Sequence, residues 1–349
     1  MYKVLHVVHN YDGYSGASLQ AKSLVNYLNM YCVNSFVSTS EGVSKECYFI
    51  GSGRFKRAAG FVFCLMKNRP DIIHFHGADF LLLIISKLFK VKVYWKTTLH
   101  GSDDFFSLCN TGNKLSKFVK SLLISGININ NSLTIQNYNV NKLYLPEERI
   151  VTIPNGVNLP SVSLDGFFSL KSKTVIIVAA LIPRKKILES ILLFKRKFEP
   201  DGFTLRVIGP DSASLDGFEP NYVNECKKLK SATISFLGQV SKIALENHYL
   251  ESMYIILLSN NEGMPNVVLE AMSYGVVPIL SDMGGVSAEI VKNGVDGYIV
   301  TEPDCLIDFQ SYRTQASLTI KKVEKYFSFS VVSKKTFGEY ANLMSLKKQ

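Results

Sequence analysis

The strongest constraint on this chain is an alternation. Short apolar runs alternate with longer segments of helical spacing, and they do so in two successive series. "KVLHVVH" (3–9) reads as a strand and "SGASLQAKSLVNYLN" (15–29) as the helix that follows it. "DIIHFHG" (71–77), "KVYWKTTLHG" (92–101), "SLTIQN" (132–137) and "RIVTIPNGV" (149–157) read as further strands, with "RFKRAAGFVFCLMKN" as a helix ahead of the first. Strands separated by helices cannot pair as tight hairpins, so they imply βαβ units and a parallel sheet. The second series runs "TVIIVAAL" (174–181), the helix "KKILESILLFKRKF", "FTLRVIGP" (203–210), "TISFLGQV" (233–240), "YIILLSN" (254–260), "GVVPILSD" (275–282) and "GYIV" (297–300). Between the series lies "NGVNLPSVSLDGFF", whose Gly, Pro and Ser mark a linker. The 349 residues exceed one core of roughly 100–200 residues. The expected organisation is therefore a first domain over residues 1–160, a second over 161–327, and a helical tail over 328–349 packing back on the first.

Composition narrows the function. Apolar residues make up 47% of the chain and charged residues 19%, which suits folded domains and excludes disorder. The formal charge is +10, and residues 1–165 carry 17 Lys/Arg against 10 Asp/Glu. A basic first half fits a phosphate-bearing substrate or an anionic membrane surface. No nucleic-acid-binding motif is present, so nucleic acid is not expected as a partner. The six cysteines show no CxxC pair and read as buried thiols of a reducing cytoplasm. "MYKVLHVVHNYDG" is too short and polar for a signal peptide and reads as an opening strand. "FLLLIISKLF" is broken by Lys87 and falls short of the ~20 residues that span a bilayer. Membrane contact, on this reading, is peripheral.

In open parallel sheets ligands bind beyond the carboxyl ends of the strands. In "NYDGYSGAS", Gly13 and Gly16 let backbone approach a ligand just before a helix whose first amides suit a phosphate, although a tight strand-to-helix turn needs glycine anyway. "HFHG" sets His74 and His76 on one side of a strand, but no third ligand stands nearby at metal spacing. They are read as core or cleft-lining histidines, and no metal site is expected. "TTLHGSDDFF" ends a strand with His100, which can donate to a sugar hydroxyl, move a proton near neutral pH, or be satisfied structurally. "AALIPRKKILES" places Arg184, Lys185 and Lys186 at a strand-to-helix turn. Cations there oppose the helix dipole, so either an anionic ligand offsets the cost or the run is solvated.

"SNNEGMPNVVLEAMSYGVVPIL" (259–280) is the most informative stretch. A strand ends, Glu262 follows, and Pro265 suits the first turn of a helix. The amides of Gly263, Met264, Asn266 and Val267 then surround a helix N-terminus, an anion site fit for a diphosphate. Glu270 lies eight positions after Glu262, roughly 12 Å along a helix at ~1.5 Å per residue. The two carboxylates therefore meet different parts of a ligand.

This stretch, extended through "SDMGGVSAEIVKNGVDGYIV", resembles the donor-site signature of GT-B glycosyltransferases of family 4, the E-x7-E retaining enzymes. "DGYSGAS", "PDIIHFHG", "TLHGSD", "VTIPNGVN", "AALIPRKKI" and "FLGQV" resemble other landmarks of that family, so the likeness covers essentially the whole chain. The resemblance implies an α/β, GT-B fold: two Rossmann-like doubly wound domains facing a central cleft, with a C-terminal helix crossing back to the first. It implies that Glu262 lies near the transferred sugar, that Glu270 accepts from the donor ribose, and that Lys185 neutralises the diphosphate. His100 would lie against the sugar, the Gly16 loop near diphosphate and acceptor, and the amides after Glu262 on sugar and phosphate. The donor would be a nucleotide-diphosphate sugar and the acceptor a glycan or polyprenyl-linked hydroxyl, with no cofactor and no metal. Protein cations and the helix dipole would stabilise charge in the metal's place. The chain departs from the family at Ala179-Ala180, where Gly-Arg is common, at Lys186, where glycine is common, and at Asn158, where Asp is common. Arg184 is the nearby cation that can replace the missing arginine. The alternatives are a GT-B nucleotide-sugar epimerase and a noncatalytic sugar-nucleotide-binding subunit.

Overall fold

The computed structural model describes residues 1–13, 16–51, 53–77, 79–98, 107, 109, 112–114, 116–117, 128–130, 147–161, 164–301 and 307–345. The chain divides into two compact units, Met1–Gly156 with Phe329–Gln349, and Val157–Ser328. The first break falls after Gly156 rather than after residue 160, because Val157 bridges to Ser328 and donates its N–H to the Phe327 carbonyl (2.8 Å). The stretch read as a linker also folds in part, since a helix runs over Leu164–Leu170.

The first unit is a seven-stranded parallel sheet. Its strands are β1 (Tyr2–Val8), β2 (Cys32–Ser38), β3 (Cys47–Phe49), β4 (Ile72–His76), β5 (Lys92–Lys96), β6 (Asn128–Asn130) and β7 (Ile150–Val151), in the order β3-β2-β1-β4-β5-β6-β7. β2 and β3 were not foreseen, because Asn34 and Ser35 interrupt the apolar pattern of one and the other is three residues long. The strand expected at 132–137 lies outside the described residues. Helices α1 (Gly16–Leu28), α2 (Arg54–Asn68) and α3 (Phe80–Leu88) connect the first strands. Asp79 caps α3 through the Leu82 amide (3.2 Å) and accepts from Arg57 of α2 (2.6 Å), which ties the two helices together.

The second unit holds β8 (Thr174–Val178), β9 (Thr204–Ile208), β10 (Ile234–Gly238), β11 (Tyr254–Leu257), β12 (Val277–Leu280) and β13 (Tyr298–Ile299) in the order β10-β9-β8-β11-β12-β13, all parallel. After α4 (Leu164–Leu170), its helices are α5 (Ile187–Lys197), α6 (Pro220–Lys228), α7 (Lys242–Glu251), α8 (Asn266–Ser273), α9 (Val286–Ile290) and α10 (Tyr312–Lys322). Central strands β8, β11 and β12 are fully buried, as expected for a sheet covered on both faces.

The last helix, α11 (Phe329–Ser345), belongs to the first unit. Phe329, Val332, Tyr340 and Leu343 pack with Val4, Leu24, Leu28, Ile72 and Tyr94. Gln20 of α1 clamps the end of the incoming chain through both backbone polar groups of one residue. It donates to the Gly156 carbonyl (2.9 Å) and accepts the Gly156 N–H (3.1 Å). Cys32, Cys47, Cys64, Cys109 and Cys226 are free and buried; Cys305 is outside the described residues.

The α1–α11 face of this sheet is not wholly apolar. His74 and His76 do have a third imidazole beside them, His6 from β1, and ring nitrogens of the three lie within 4.8 Å of one another. The sequence missed it because register, not spacing, aligns His6 with His74 across the sheet. Proximity makes this a candidate metal set, but orientation makes it a stack. His74 and His76 lie face to face at 4.0 Å and 24°, so their in-plane lone pairs do not converge on one point. His6 instead pairs with His76 and Asn34 (both 3.0 Å), and His74 pairs with Tyr340 of α11 (2.6 Å). Burial draws His6 down to about 4, and burial, reinforced by the neighbouring imidazoles and Lys96, holds His74 and His76 well below the ordinary value.

These depressed imidazoles set a pH dependence. Unfolded histidines titrate near 6.5, so below that pH the unfolded chain binds more protons than the folded one. Stability is therefore fully present above about pH 6.5 and is lost as pH falls towards 4, by up to about 1.4 kcal/mol per pH unit for each imidazole. Urea unfolding of the first unit at pH 7.5, 6 and 5 should show this loss, with a shallower slope in His6→Asn. A midpoint independent of pH would contradict it.

Candidate active site

The strand ends of the second unit bring the two informative stretches together. β8 and β9 approach so closely that a Cβ on Gly209 (φ +152°) would sit 1.9 Å from the Ala179 carbonyl oxygen. Only glycine fits there. Ala179 then donates to the Ile208 carbonyl (3.0 Å) and Leu181 to that of Pro210 (2.9 Å), which directs the chain into a single turn over Pro183–Lys185. Lys186 follows at φ +48°, and α5 begins. A left-handed residue is where glycine is favoured, so the family's glycine has a conformational reason. Lys186 carries a strain of roughly 1–2 kcal/mol in its place.

The loop after β11 is built onto this turn. Asn260 donates its N–H to the Arg184 carbonyl (2.9 Å), and Ser259, itself held by Ser281 (2.7 Å), reaches the same carbonyl (3.3 Å). Arg184 returns a hydrogen bond from Nη1 to the Asn261 carbonyl (2.7 Å). Glu262 is then only 9% exposed, and Lys185 forms an ion pair with its Oε1 while Arg184 lies 3.8 Å away. A carboxylate this buried needs a charged partner. The sequence reading gave Arg184 and Lys185 an external anion to oppose. The structure supplies part of that counter-charge from Glu262 itself.

Pro265 is the residue before the helix rather than its first one. Its carbonyl accepts from Val268 (2.9 Å) and Leu269 (3.3 Å), and α8 begins at Asn266. Gly263, Met264 and Val267 donate no backbone hydrogen bond among the described residues. Unbonded amides at the positive end of a helix are groups that suit an anion. Met264 is buried, which fixes the turn.

Glu270 sits one helical turn into α8. Its Oε2 accepts from Tyr249 at 3.4 Å, and burial raises its pKa against the opposing pull of Lys242 and that hydrogen bond. Tyr249 was not foreseen. It closes α7, is 1% exposed, and no motif distinguishes it from the other tyrosines. Lys185, Arg184 and Glu262 are thus in direct contact, with the amides of 263–267 and Glu270 following along one loop and helix. Gly16 is the exposed first residue of α1 in the other unit, and His100 lies outside the described residues.

Comparison with known proteins gives this geometry a setting. Residues 165–306 match the family described as glycosyl transferases group 1. The amylovoran biosynthesis glycosyltransferase AmsD of Erwinia amylovora is 24% identical over 377 residues, covering 100% of this chain and 98% of its own. A probable sucrose-phosphate synthase of Thermosipho melanesiensis is 26% identical over 206 residues, covering 57% of this chain; the match spans about half (48%) of that protein's length. The crystal structure of HepE from Anabaena, in complex with UDP and glucose, shares the fold with a TM-score of 0.74 at 17% identity, over 99% of this chain and 100% of that one. The second unit is the part that the family match covers, and its turn, loop and helix are where the E-x7-E pattern lies. Residues 165–306 of the chain thus match the glycosyl transferases group 1 family, and the chain shares its fold with a solved glycosyltransferase structure.

Proposed function

We propose that this chain is a retaining, family 4-type glycosyltransferase. It moves a sugar from a nucleotide-diphosphate sugar to a hydroxyl of a glycan or polyprenyl-linked acceptor, without a metal, in bacterial surface-polysaccharide biosynthesis. The observation that carries the reading is the Lys185–Glu262 ion pair set against the unbonded amides of Gly263, Met264 and Val267. It joins a cation, a carboxylate and a helix N-terminus at one point, which suits a leaving diphosphate beside a sugar. The complex of HepE with UDP and glucose supports a UDP-sugar as the first donor to try, and the role named for AmsD supports a polysaccharide product.

In this mechanism Lys185, Arg184 and the amides of Gly263, Met264, Asn266 and Val267 take up the charge on the diphosphate as the bond to the anomeric carbon breaks. The acceptor oxygen bonds to that carbon from the same face, and its proton passes to the departing phosphate oxygen. Glu262 orients Lys185 and receives sugar hydroxyls. Glu270 accepts from the ribose, and His100 supports the sugar. The Gly16 loop serves diphosphate and acceptor.

The acceptor side points to a membrane. α2 exposes Phe55 (93%), Phe63 (61%) and Met66 (65%), and the end of α3 exposes Leu88 and Phe89. Arg54, Lys56, Lys67, Arg69 and Lys90 are exposed around them. An apolar patch rimmed by cations fits the inner face of an anionic bilayer. No helix among the described residues is long and apolar enough to cross it.

Four measurements test the reading. Lys185→Ala and Glu262→Ala should each lower the transfer rate by about 10²–10³-fold, and rates near wild type would sink the assignment. An epimerase would convert the sugar nucleotide without acceptor, whereas a transferase at most hydrolyses it slowly. Glu270→Gln should abolish the donor-induced rise in melting temperature. Because burial raises the Glu270 pKa, the folded carboxyl disfavours ionisation, and stability falls as pH rises past 4.5. The unliganded variant should therefore melt no lower than wild type at pH 8; a lower melting temperature would contradict this. Phosphatidylglycerol vesicles should sediment the protein while phosphatidylcholine vesicles do not, and a Phe55→Ser/Phe63→Ser variant should stay in the supernatant. Equal sedimentation of that variant would dismiss the patch.

A further inference from the structure

Lys96 is a buried cation with no counter-charge among the described residues. It ends β5 on the face that carries Tyr94 and is paired in register with His76 of β4. It is 5% exposed, and among the described residues its ammonium has no hydrogen bond or ion pair. Burial alone draws its pKa down to about 8; no carboxylate acts on it. The neighbouring His74 and His76 supply no negative charge in either protonation state, and the Lys96 ammonium helps to hold both well below the ordinary imidazole value. Lys171 shows how this chain satisfies a buried ammonium internally. That lysine is also strongly desolvated, yet it donates to the carbonyls of Tyr249 (2.8 Å) and Ser252 (2.7 Å).

A cation removed from water without a partner is costly, and structures retain one where an anion answers it. The location is one where ligands bind, since Lys96 closes its strand at the carboxyl edge of a parallel sheet. α1 begins at that edge, and its Ala21, Leu24, Val25 and Leu28 are buried on the same face of the sheet as Val4 and Val8. Its first turn carries no acidic residue to compete for an anion. The first half of the chain is also the strongly basic half, with 17 Lys/Arg against 10 Asp/Glu over residues 1–165.

We propose that Lys96 holds a phosphate subsite of the first unit, which takes the phosphate-bearing end of the acceptor. The inference rests on the glycosyltransferase reading for the word acceptor, but the anion site stands on Lys96 itself. Thermal melts of the full chain with inorganic phosphate, against a matched chloride control, test it. In a Lys185→Met background, which silences the anion site of the second unit, phosphate should raise the melting temperature when residue 96 is Lys or Arg, and should leave Lys96→Met unmoved. Without phosphate, Lys96→Met should melt at or above wild type, since it removes an unanswered charge at nearly constant volume. A lower melting temperature, or failure to fold, would mean that Lys96 has a structural partner, and overturns the proposal. So does a phosphate shift that, in the Lys185→Met background, is absent with Lys96 intact or equal in Lys96→Met. UDP, GDP and dTDP report the donor site separately. Their shift should survive Lys96→Met and vanish in Lys185→Met. Loss of the nucleotide shift everywhere, with a Lys96-dependent phosphate shift intact, would remove the donor reading alone; the reverse pattern removes this inference alone.

Discussion

A carboxylate that is 9% exposed has to be answered by a positive charge, and here Lys185 answers Glu262. That pairing organises the carboxyl edge of the second sheet. It joins the turn after β8 to the loop after β11, and the hydrogen bonds from the Asn260 N–H and the Ser259 hydroxyl to the Arg184 carbonyl reinforce the same junction. Gly209 belongs to this arrangement too, because the β8 and β9 ends could not come together around a side chain. The start of α8 inherits its position from these contacts. A cation, a carboxylate and a set of amides are held in place before any substrate arrives, which is the condition for electrostatic stabilisation without reorganisation.

Much of this was legible in the residues. Alternation announced two parallel sheets, because a buried strand between helices leaves an apolar run that a surface strand does not. Glu262, Glu270, Arg184 and Lys185 stood out by type and spacing near strand ends. What the sequence could not convey depended on register or on distant partners. His6 meets His74 only because β1 and β4 align there. Tyr249 reaches Glu270 from another helix, and nothing in "NHYLES" marks it. β3 is too short, and β2 too polar at Asn34 and Ser35, to show a periodicity. Residue preference sets Pro265 at the first turn of a helix, and the hydrogen bonding shows it immediately before Asn266, where α8 begins. Lys186 could be recognised as a departure from the family, but only its backbone angle says what the departure costs.

The two units treat buried charge differently. The second answers Glu262 with Lys185 and Lys171 with carbonyls, so its polar groups are largely paired within the chain. The first stacks three imidazoles, keeps them neutral and places Lys96 among them. Tyr94 Oη and His74 Nε2 are buried without a hydrogen-bond partner. A polar seam of this kind is costly where it is incompletely paired, and its position at the carboxyl edge of a parallel sheet associates that cost with ligand recognition.

The first unit is discontinuous in sequence, and this bears on how the protein is made. Val157–Ser328 is complete as a unit before α11 leaves the ribosome, whereas Met1–Gly156 waits for it. Until Phe329, Val332 and Tyr340 arrive, the nascent sheet presents Val4, Ile72 and Tyr94 to solvent and leaves His74 without its phenol. The first unit therefore matures last, and its exposure to chaperones and proteases during synthesis is governed by residues that follow the whole second unit in sequence.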